Sequence, residues 1–211
     1  MRTHILETSP DEPNREALAK VAEAVRQGKV VSIPTDTLYV LVADPFNLKA
    51  VAAVFHAKGR EFDRSLPILV NSLQMAEDYA TNLTSRFYLL ARRFWPGPLT
   101  IIVPASAKMP LRVTGHTGRL AIRQSAAVIP HQLIEMLDMP LIATSANVSG
   151  QPTCRSGFEV LGTMDGRVDL LLDAGPVNGL GATTVDITEP EWKVIREGAI
   201  SEAVIAENLQ I

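Results

Sequence analysis

The sequence is poor in cysteine, since Cys154 is the only one among 211 residues. A single cysteine excludes an intrachain disulfide and is typical of a protein that stays in a reducing compartment. An unpaired cysteine is most often a small packing residue, so we assign Cys154 no role as a nucleophile. The four histidines include no pair at metal-ligand spacing. With no cysteine cluster either, the sequence gives no indication of a structural zinc site.

Long apolar runs and excess positive charge are also lacking. No apolar run approaches the roughly 20 residues that a membrane-spanning helix needs, and residues 1–16 lack the apolar stretch of a signal peptide. The net charge of −3 gives no overall cationic signature for nucleic acid. Aromatic residues make up only 5%, so stacking platforms for bases are not evident. We therefore expect a cytoplasmic protein with no membrane contact.

Several common catalytic motifs are missing as well. The sequence contains no phosphate-binding P-loop, no Gly-x-Gly-x-x-Gly fingerprint and no Gly-x-Ser-x-Gly nucleophile motif. The polar features that remain follow the ends of apolar segments. In open α/β sheets, ligands gather at such strand ends, so these segments are the candidates for a site.

What is present is a regular alternation of short β-rich runs and helical runs. Apolar residues make up 46% and charged residues 20%, which is ordinary for a globular domain. About eight strands and several helices are indicated, and no linker divides the chain. We predict a single α/β domain over residues 1–211, with an open, twisted, mixed β-sheet and flanking helices. The predicted helices include 15–28, 47–58, 84–94 and one from Ser201, and the strands include 30–34, 38–43, 66–70, 99–105, 120–124, 140–146, 169–174, 183–187 and 193–197.

The segment "AKGR" (57–60) places two cations around a glycine at a predicted helix end. One interpretation is favourable charge against the helix dipole. The other is phosphate capture, with Lys58 as a point charge and Arg60 as a bidentate fork. Gly59 would let the backbone approach the anion closely.

Two further segments carry small polar residues next to apolar strands. In "TSANVSG" (144–150), Ser145 and Asn147 offer a hydroxyl and an amide to a ligand, or form an ordinary hydrogen-bonded turn. In "PTDTLY" (34–39), hydroxyls and one carboxylate crowd a strand end. Arg123 in "LAIRQ" is a cation on an apolar strand, which is costly unless it is paired. A carboxylate ligand or the Asp36 side chain would pair with this charge. Arg196 in "VIREG" is a second cation that follows an apolar strand. For both arginines, the alternative is a solvated position at the edge of the sheet.

Taken together, these segments resemble one family. The segments "SIPTDTLYVLVADPFNLKAVAAVFHAKGR", "WPGPLTIIVP", "LAIRQ", "ATSANVSG", "TTVDIT" and "VIREGAI" follow the order and approximate spacing of the YrdC-like family. Its central members are threonylcarbamoyl-AMP synthases. The resemblance covers about residues 14–200, and six motifs in register make it specific.

The resemblance implies an activity, its substrates and its partners. Such enzymes convert L-threonine, bicarbonate or CO2, and ATP into threonylcarbamoyl-adenylate and pyrophosphate, with magnesium accompanying the nucleotide rather than being bound directly by protein ligands. A partner enzyme then transfers the threonylcarbamoyl group to tRNA, and direct contact with tRNA or double-stranded RNA is also implied. With no further C-terminal domain in the sequence, we expect the minimal, single-domain form of the family.

The resemblance also assigns residues. The catalytic groups that contact the ATP phosphates are expected at Lys58, Arg60, Ser145 and Asn147. The L-threonine site is expected at Thr37, Arg123 and the backbone of Ala143. Further nucleotide contacts are expected from Thr153 and Arg196.

Several positions depart from the synthase pattern and leave other functions open. Val40 stands where a glycine is usual, Leu69 replaces a histidine, Arg64 an asparagine and Ala182 a serine. "TTVDIT" and "VIREG" are closer to the YciO-type branch, so one alternative is a related enzyme acting on another threonylcarbamoyl or carbamoyl compound. Another alternative is an RNA-binding protein without synthase activity, which uses a basic patch formed by Arg86, Arg92, Arg93, Arg119 and Arg123.

Overall fold

The strands of the protein form one continuous mixed sheet. The computed structural model describes residues 2–61 and 64–209. In chain order the strands are β1 (His4–Glu7), β2 (Val31–Pro34), β3 (Tyr39–Ala43), β4 (Ile68–Val70), β5 (Leu99–Pro104), β6 (Arg119–Gln124), β7 (Leu141–Ser145), β8 (Leu170–Asp173), β9 (Thr183–Asp186) and β10 (Lys193–Arg196). Across the sheet their order is β1-β8-β2-β3-β7-β4-β6-β5-β9-β10. The pairs β4–β6 and β5–β9 are parallel, whereas β3–β7 and β5–β6 are antiparallel, which confirms the predicted mixed α/β sheet.

Helices flank this sheet, and their ends follow local sequence signals. They are α1 (Arg15–Arg26), α2 (Leu48–Lys58), α3 (Leu73–Tyr79), α4 (Ser85–Phe94), α5 (Val128–Leu137), α6 (Gly157–Met164) and α7 (Glu202–Leu209). The Asn47 side chain accepts hydrogen bonds from the first turn of α2, as its position predicts. Gly59 ends α2 in the left-handed conformation with φ of 59°, which a glycine adopts without steric cost. Within 2–61 and 64–209, no helix is long and apolar enough to cross a membrane.

Successive residues of a strand point to opposite faces of the sheet, and different helices pack on the two faces. On one face, Ile68, Ile101 and Ile122 belong to a large core together with apolar side chains of α2 and α4. On the other face, α1 and α5 cover only part of the sheet, with Val21 and Leu133 in the same buried cluster as Leu69 and Ala143. The rest of this second face is open, and it becomes the wall of a cavity.

Two elements lie outside the sequence-based expectation. The strand β1 pairs in parallel with β8 at one edge of the sheet, although four residues with largely exposed side chains give little apolar signal. The helix α6 is also short, and its glycines weaken the helical pattern. The nine strand ranges predicted from the sequence are all present, and β1 brings the number in the described chain to ten, against the estimate of about eight.

Candidate functional site

A cavity of about 1120 Å³ lies on the open face of the sheet. The register explains its walls, because Val40 pairs with Ser145, Leu69 with Arg123, and Ile102 with Ala121, and each pair points to the same side. Eight of the nine residues that the sequence assigned to a site line this cavity: Thr37, Lys58, Arg60, Arg123, Ala143, Ser145, Asn147 and Arg196. The ninth, Thr153, lines a neighbouring cavity of about 350 Å³ that shares Leu38 and Arg196 with the first.

Lys58 forms the centre of a polar cluster at one end of the cavity. Its Nζ donates hydrogen bonds to the backbone oxygen of Ser145 at 2.6 Å, to Oγ of Ser145 at 3.2 Å and to Oδ1 of Asn147 at 2.8 Å. The residue is only 2% exposed. Burial, together with the positive charge of nearby Arg60, lowers the pKa of Lys58 from 10.5 to about 7.

Asn147 holds this cluster in a defined orientation. Its Nδ2 donates to the backbone oxygens of Val148 at 3.1 Å and Gln151 at 2.6 Å, and its Oδ1 accepts from Oγ of Ser145 at 2.6 Å. The amide is therefore fixed on both sides, and Lys58 and Ser145 meet at the same oxygen. The turn interpretation and the ligand interpretation of "TSANVSG" are compatible, because the turn presents Ser145 to the cavity.

Arg60 lies at the wall of the cavity just beyond the end of α2. Its guanidinium stacks at 5.3 Å from the ring centroid of Phe55 and donates from Nη2 to the backbone oxygen of Ser65 at 3.3 Å. These contacts place a second cation beside the Lys58 cluster. An arrangement with one compact ammonium and one planar guanidinium is suited to phosphate oxygens.

Arg123 forms the other polar end of the cavity and is not at a solvated edge, because it is 6% exposed. Its Nε donates to the backbone oxygen of Gly97 at 2.9 Å, Nη1 to Oγ1 of Thr37 at 2.8 Å and Nη2 to Oδ1 of Asp36 at 2.6 Å. Burial lowers the pKa of Arg123, and the Asp36 carboxylate opposes that shift. The interpretation that Asp36 pairs with Arg123 is confirmed.

Thr37 belongs to a chain of hydroxyl groups in the turn between β2 and β3. Oγ1 of Thr35 donates to the backbone oxygen of Leu38 at 2.8 Å and lies 3.0 Å from Oγ1 of Thr37. Since the Thr35 proton is used on Leu38, Thr37 donates to Thr35 and accepts from Arg123. This chain fixes the Thr37 hydroxyl beside the guanidinium, where a ligand in the cavity would contact both groups.

Arg196 is an exposed cation at the cavity wall. It ends β10 at the edge of the sheet, and its Nη2 donates to the backbone oxygen of Ala182 at 3.0 Å. Arg196 lines both cavities, so an extended ligand that spans them would contact Arg196 as well as Thr153.

The positions that depart from the synthase pattern all line the main cavity. Val40, Arg64, Leu69 and Ala182 are among its wall residues. Leu69 is the register neighbour of Arg123, so the departure from histidine lies directly beside the expected carboxylate site. Val40, Leu69 and Ala182 make the cavity wall more apolar, whereas Arg64 adds a cation to it.

Cys154 lies in the hydrophobic core and is not part of the main cavity wall. Cys154 is buried, its Sγ lies 3.2 Å from Oγ1 of Thr163, and burial raises the pKa of the thiol. A buried thiol with a raised pKa is a poor nucleophile, which agrees with its assignment as a packing residue. The described residues also contain no group of three or more His, Cys, Asp or Glu side chains that could hold a metal ion.

The five arginines considered for an RNA-binding patch differ in their burial and in their partners. Arg119 pairs with Asp186 and Glu189, Arg123 is buried against Asp36, and Arg86 donates to the backbone oxygen of Pro190. The other two, Arg92 and Arg93, are in the last turn of α4, which packs on the face opposite the cavity. Burial therefore withdraws Arg123 from such a surface, and two carboxylates already neutralise Arg119.

Sequence comparison relates most of the chain to one family. The profile of the Sua5/YciO/YrdC family, whose description reads "Telomere recombination", matches residues 23–198. A threonylcarbamoyl-AMP synthase of Pyrococcus abyssi is 37% identical over 188 residues, which are 87% of this chain and 55% of the relative. One of Bacillus subtilis is 32% identical over 201 residues, which are 94% of this chain and 57% of the relative. The chain thus spans little more than half the length of these two curated relatives.

Solved structures agree with this relationship. The structure of Pyrococcus abyssi Sua5 complexed with L-threonine superposes with a TM-score of 0.94 at 33% identity, covering 99% of this chain and 61% of that one. Escherichia coli YciO superposes with a TM-score of 0.86 at 23% identity, covering 94% of this chain and 97% of that one, which shows a common fold. From the family profile and the synthase relatives together, we conclude that this chain belongs to the Sua5/YciO/YrdC family.

Proposed function

We propose that this chain is a threonylcarbamoyl-AMP synthase. It would join L-threonine, bicarbonate or CO2, and ATP into threonylcarbamoyl-adenylate and release pyrophosphate. The observation that carries the proposal is that one cavity contains the Lys58–Ser145–Asn147 cluster at one end and Arg123 with Thr37 at the other. A volume of about 1120 Å³ is ample for two substrates, since single-ligand pockets measure about 300–1,000 Å³. The synthase relatives of Pyrococcus abyssi and Bacillus subtilis support it.

The cationic end fits the nucleotide. Attack of a carbamate oxygen on the α-phosphorus builds negative charge on the phosphate oxygens and on the departing pyrophosphate. Groups that are fixed in advance stabilise this charge most effectively, and Lys58 and Arg60 are held by hydrogen bonds and ring stacking. Ser145 and Asn147 hold the Lys58 ammonium at this end, while Arg196 and Thr153 lie where the rest of the nucleotide would extend. No covalent intermediate with the protein is needed.

The other end fits a free amino acid. Arg123 presents a guanidinium fork, which matches a carboxylate geometrically, and Thr37 offers an oxygen acceptor beside it. Ala143 contributes wall surface and its backbone, because it has no polar side-chain atom. The Pyrococcus abyssi structure holds L-threonine, which is the ligand that we propose for this end.

Magnesium would enter with the nucleotide. It takes oxygen ligands and retains water readily, so triphosphate oxygens and waters satisfy most of its coordination. The cavity wall fits this arrangement, because it supplies hydroxyls and Glu61 rather than a carboxylate cage. When bound with ATP, the ion would neutralise part of the phosphate charge, and Lys58 and Arg60 would supply further positive charge.

The wider role follows from the chemistry of the product. A mixed anhydride with AMP is a reactive intermediate, so a partner enzyme that transfers the threonylcarbamoyl group to tRNA is part of the proposal. Direct contact of this chain with tRNA or double-stranded RNA stays a prediction. A cytoplasmic location is proposed on the basis of the single, buried cysteine.

Pyrophosphate release tests the proposal. Purified protein is incubated with ATP, magnesium and bicarbonate, with and without L-threonine, beside a Lys58→Ala variant that removes the central cation. Threonine-dependent release that the variant loses is the expected result. Release that does not depend on threonine would refute the amino-acid half of the proposal, and absence of both release and ATP binding would refute all of it.

A second candidate is a related enzyme that acts on another threonylcarbamoyl or carbamoyl compound, as the YciO-like segments indicate. The observation in its favour is that Val40, Leu69 and Ala182 all alter the cavity wall. This candidate predicts ATP binding without threonine-dependent pyrophosphate release. Restoring polarity and space with the Val40→Gly and Leu69→His substitutions would then create threonine dependence, whereas the synthase proposal expects the unsubstituted protein to show it already.

A further inference from the structure

Asp36 supports Arg123 from behind the cavity wall. Its Oδ1 accepts hydrogen bonds from Nη2 of Arg123 at 2.6 Å, from Oγ of Ser125, and from the backbone nitrogen of Ala126 at 3.2 Å. Arg123 and Thr37 line the cavity, but Asp36 is not among its wall residues. The carboxylate therefore contacts the guanidinium without facing the space that a substrate would fill.

The three hydrogen bonds of Arg123 fix its orientation and leave donors for a ligand. The guanidinium is planar, so bonds from Nε to Gly97, from Nη1 to Thr37 and from Nη2 to Asp36 determine the plane of the fork. Each terminal nitrogen carries two N–H groups, so one on each is still available. The guanidinium, which lines the cavity, thus keeps hydrogen-bond donors for a ligand.

Asp36 is itself held in place before any ligand arrives. Ser125 and Ala126 lie between the end of β6 and the start of α5, and both donate to the same carboxylate oxygen. The Arg123 side chain is 8% exposed and that of Asp36 is 19% exposed, so the pair is largely shielded from water. Removing one partner of such a pair leaves the other charge buried and uncompensated, which favours its rotation toward other acceptors or solvent.

We infer that Asp36 is a positioning residue for the amino-acid substrate, acting through Arg123 to hold the guanidinium fork where it binds the substrate carboxylate. The inference rests on the proposed function. It assigns Asp36 an effect on the amino-acid end of the cavity only, because the Lys58 cluster shares no hydrogen bond with Asp36.

Steady-state kinetics of Asp36→Ala test the inference. We expect the KM for L-threonine to rise roughly 10- to 100-fold, since a shielded charge pair loses one partner, while the KM for ATP changes little. Asp36→Asn retains an oxygen acceptor of the same size and should recover part of the loss. In an Arg123→Ala background, Asp36→Ala should add no further increase in the threonine KM, because the group through which it acts is gone.

The outcomes separate this inference from the proposed function. An unsubstituted protein without threonine-dependent pyrophosphate release contradicts the proposed function itself. An active unsubstituted protein contradicts the inference if Asp36→Ala leaves the threonine KM unchanged, or if it raises the KM values for threonine and ATP together. Should Asp36→Ala fail to fold, Ser125→Ala removes one donor to Asp36, and it must still raise the threonine KM a few-fold without changing the KM for ATP.

Discussion

Nζ of Lys58 lies 2.8 Å from Oδ1 of Asn147, although the two residues are 89 positions apart in the chain. The bond joins the end of α2 to the turn that follows β7. Two motifs that the sequence indicates separately thus form a single group at one end of the cavity. Their contact is the structural basis for assigning that end to an anionic substrate.

The affinity for ATP should depend on the charge of Lys58. Its pKa in the folded protein is about 7, so the ammonium form is lost as the pH rises through that value. Because phosphate oxygens favour the charged form, we expect the Kd for ATP to increase above pH 7, by up to about tenfold per pH unit. Calorimetric titrations between pH 6 and pH 9 measure this dependence.

A Lys58→Arg variant provides the control for that series. Arginine stays charged over the whole range, so any pH dependence that remains reports on ATP and on other groups. An unsubstituted protein whose pH profile matches that of the arginine variant would contradict the assignment.

The lowered pKa of Lys58 also affects folding. Since the pKa in the folded protein lies below 10.5, the contribution of Lys58 to stability should improve as pH rises from about 7 to 10.5.

Gly179 should be required for binding of the amino acid. A Cβ atom at this position would lie 2.6 Å from the backbone oxygen of Asp36 and 2.7 Å from Cα of Thr37, so the turn that contacts Arg123 would have to move. We expect Gly179→Ala to lower kcat/KM for threonine about 10- to 100-fold. The KM for ATP is the internal comparison, and equal losses for both substrates would point to general misfolding instead.

Two glycines of the same helix should respond in opposite directions to alanine. A Cβ at Gly157 would overlap the Asp173 carboxylate, which also accepts from the Tyr39 hydroxyl at 2.9 Å, whereas a Cβ at Gly162 meets nothing within 4 Å. We expect Gly157→Ala to destabilise by about 1–3 kcal/mol. Gly162→Ala should stabilise by about 0.5–1 kcal/mol. Urea denaturation measures both, and equal effects would contradict the described packing of α6.

Cys154 should be dispensable for turnover. Its buried Sγ lies close to Oγ1 of Thr163, so a serine hydroxyl at this position keeps a hydrogen-bond partner. We expect Cys154→Ser to retain nearly all pyrophosphate release, because no step of the proposed reaction passes through the thiol. Complete loss of turnover in a folded variant would indicate a covalent intermediate and would overturn the proposed mechanism.

The sequence predicts the central sheet and the two polar ends of the cavity well, and there are physical reasons for this. Asn47 and Gly59 mark both ends of α2, and so fix where Lys58 leaves the helix. The strand "LAIRQ" has a strong apolar pattern, so the one charge within it stands out. These signals depend only on neighbouring residues, so contacts with distant parts of the chain do not alter what they predict.

Other features depend on contacts between distant segments and carry little local signal. The strand β1 has mostly exposed side chains, and its place in the sheet is set by pairing with β8, which is more than 160 residues further along the chain. Ser125 and Thr35 also support the site, but their roles become visible only when Asp36 and Thr37 are brought next to Arg123. The "PTDTLY" motif contained the signal for Asp36, without indicating that it acts from behind the wall.

The most direct test of the central claim is mass spectrometry of the product. Purified protein is incubated with ATP, magnesium, L-threonine and carbon-13 bicarbonate, and the nucleotide fraction is analysed at once because the adenylate is reactive. The proposed function predicts an adenylate with the mass of threonylcarbamoyl-AMP that carries the label and is absent with Lys58→Ala. Consumption of ATP without any labelled threonine-containing adenylate would contradict it.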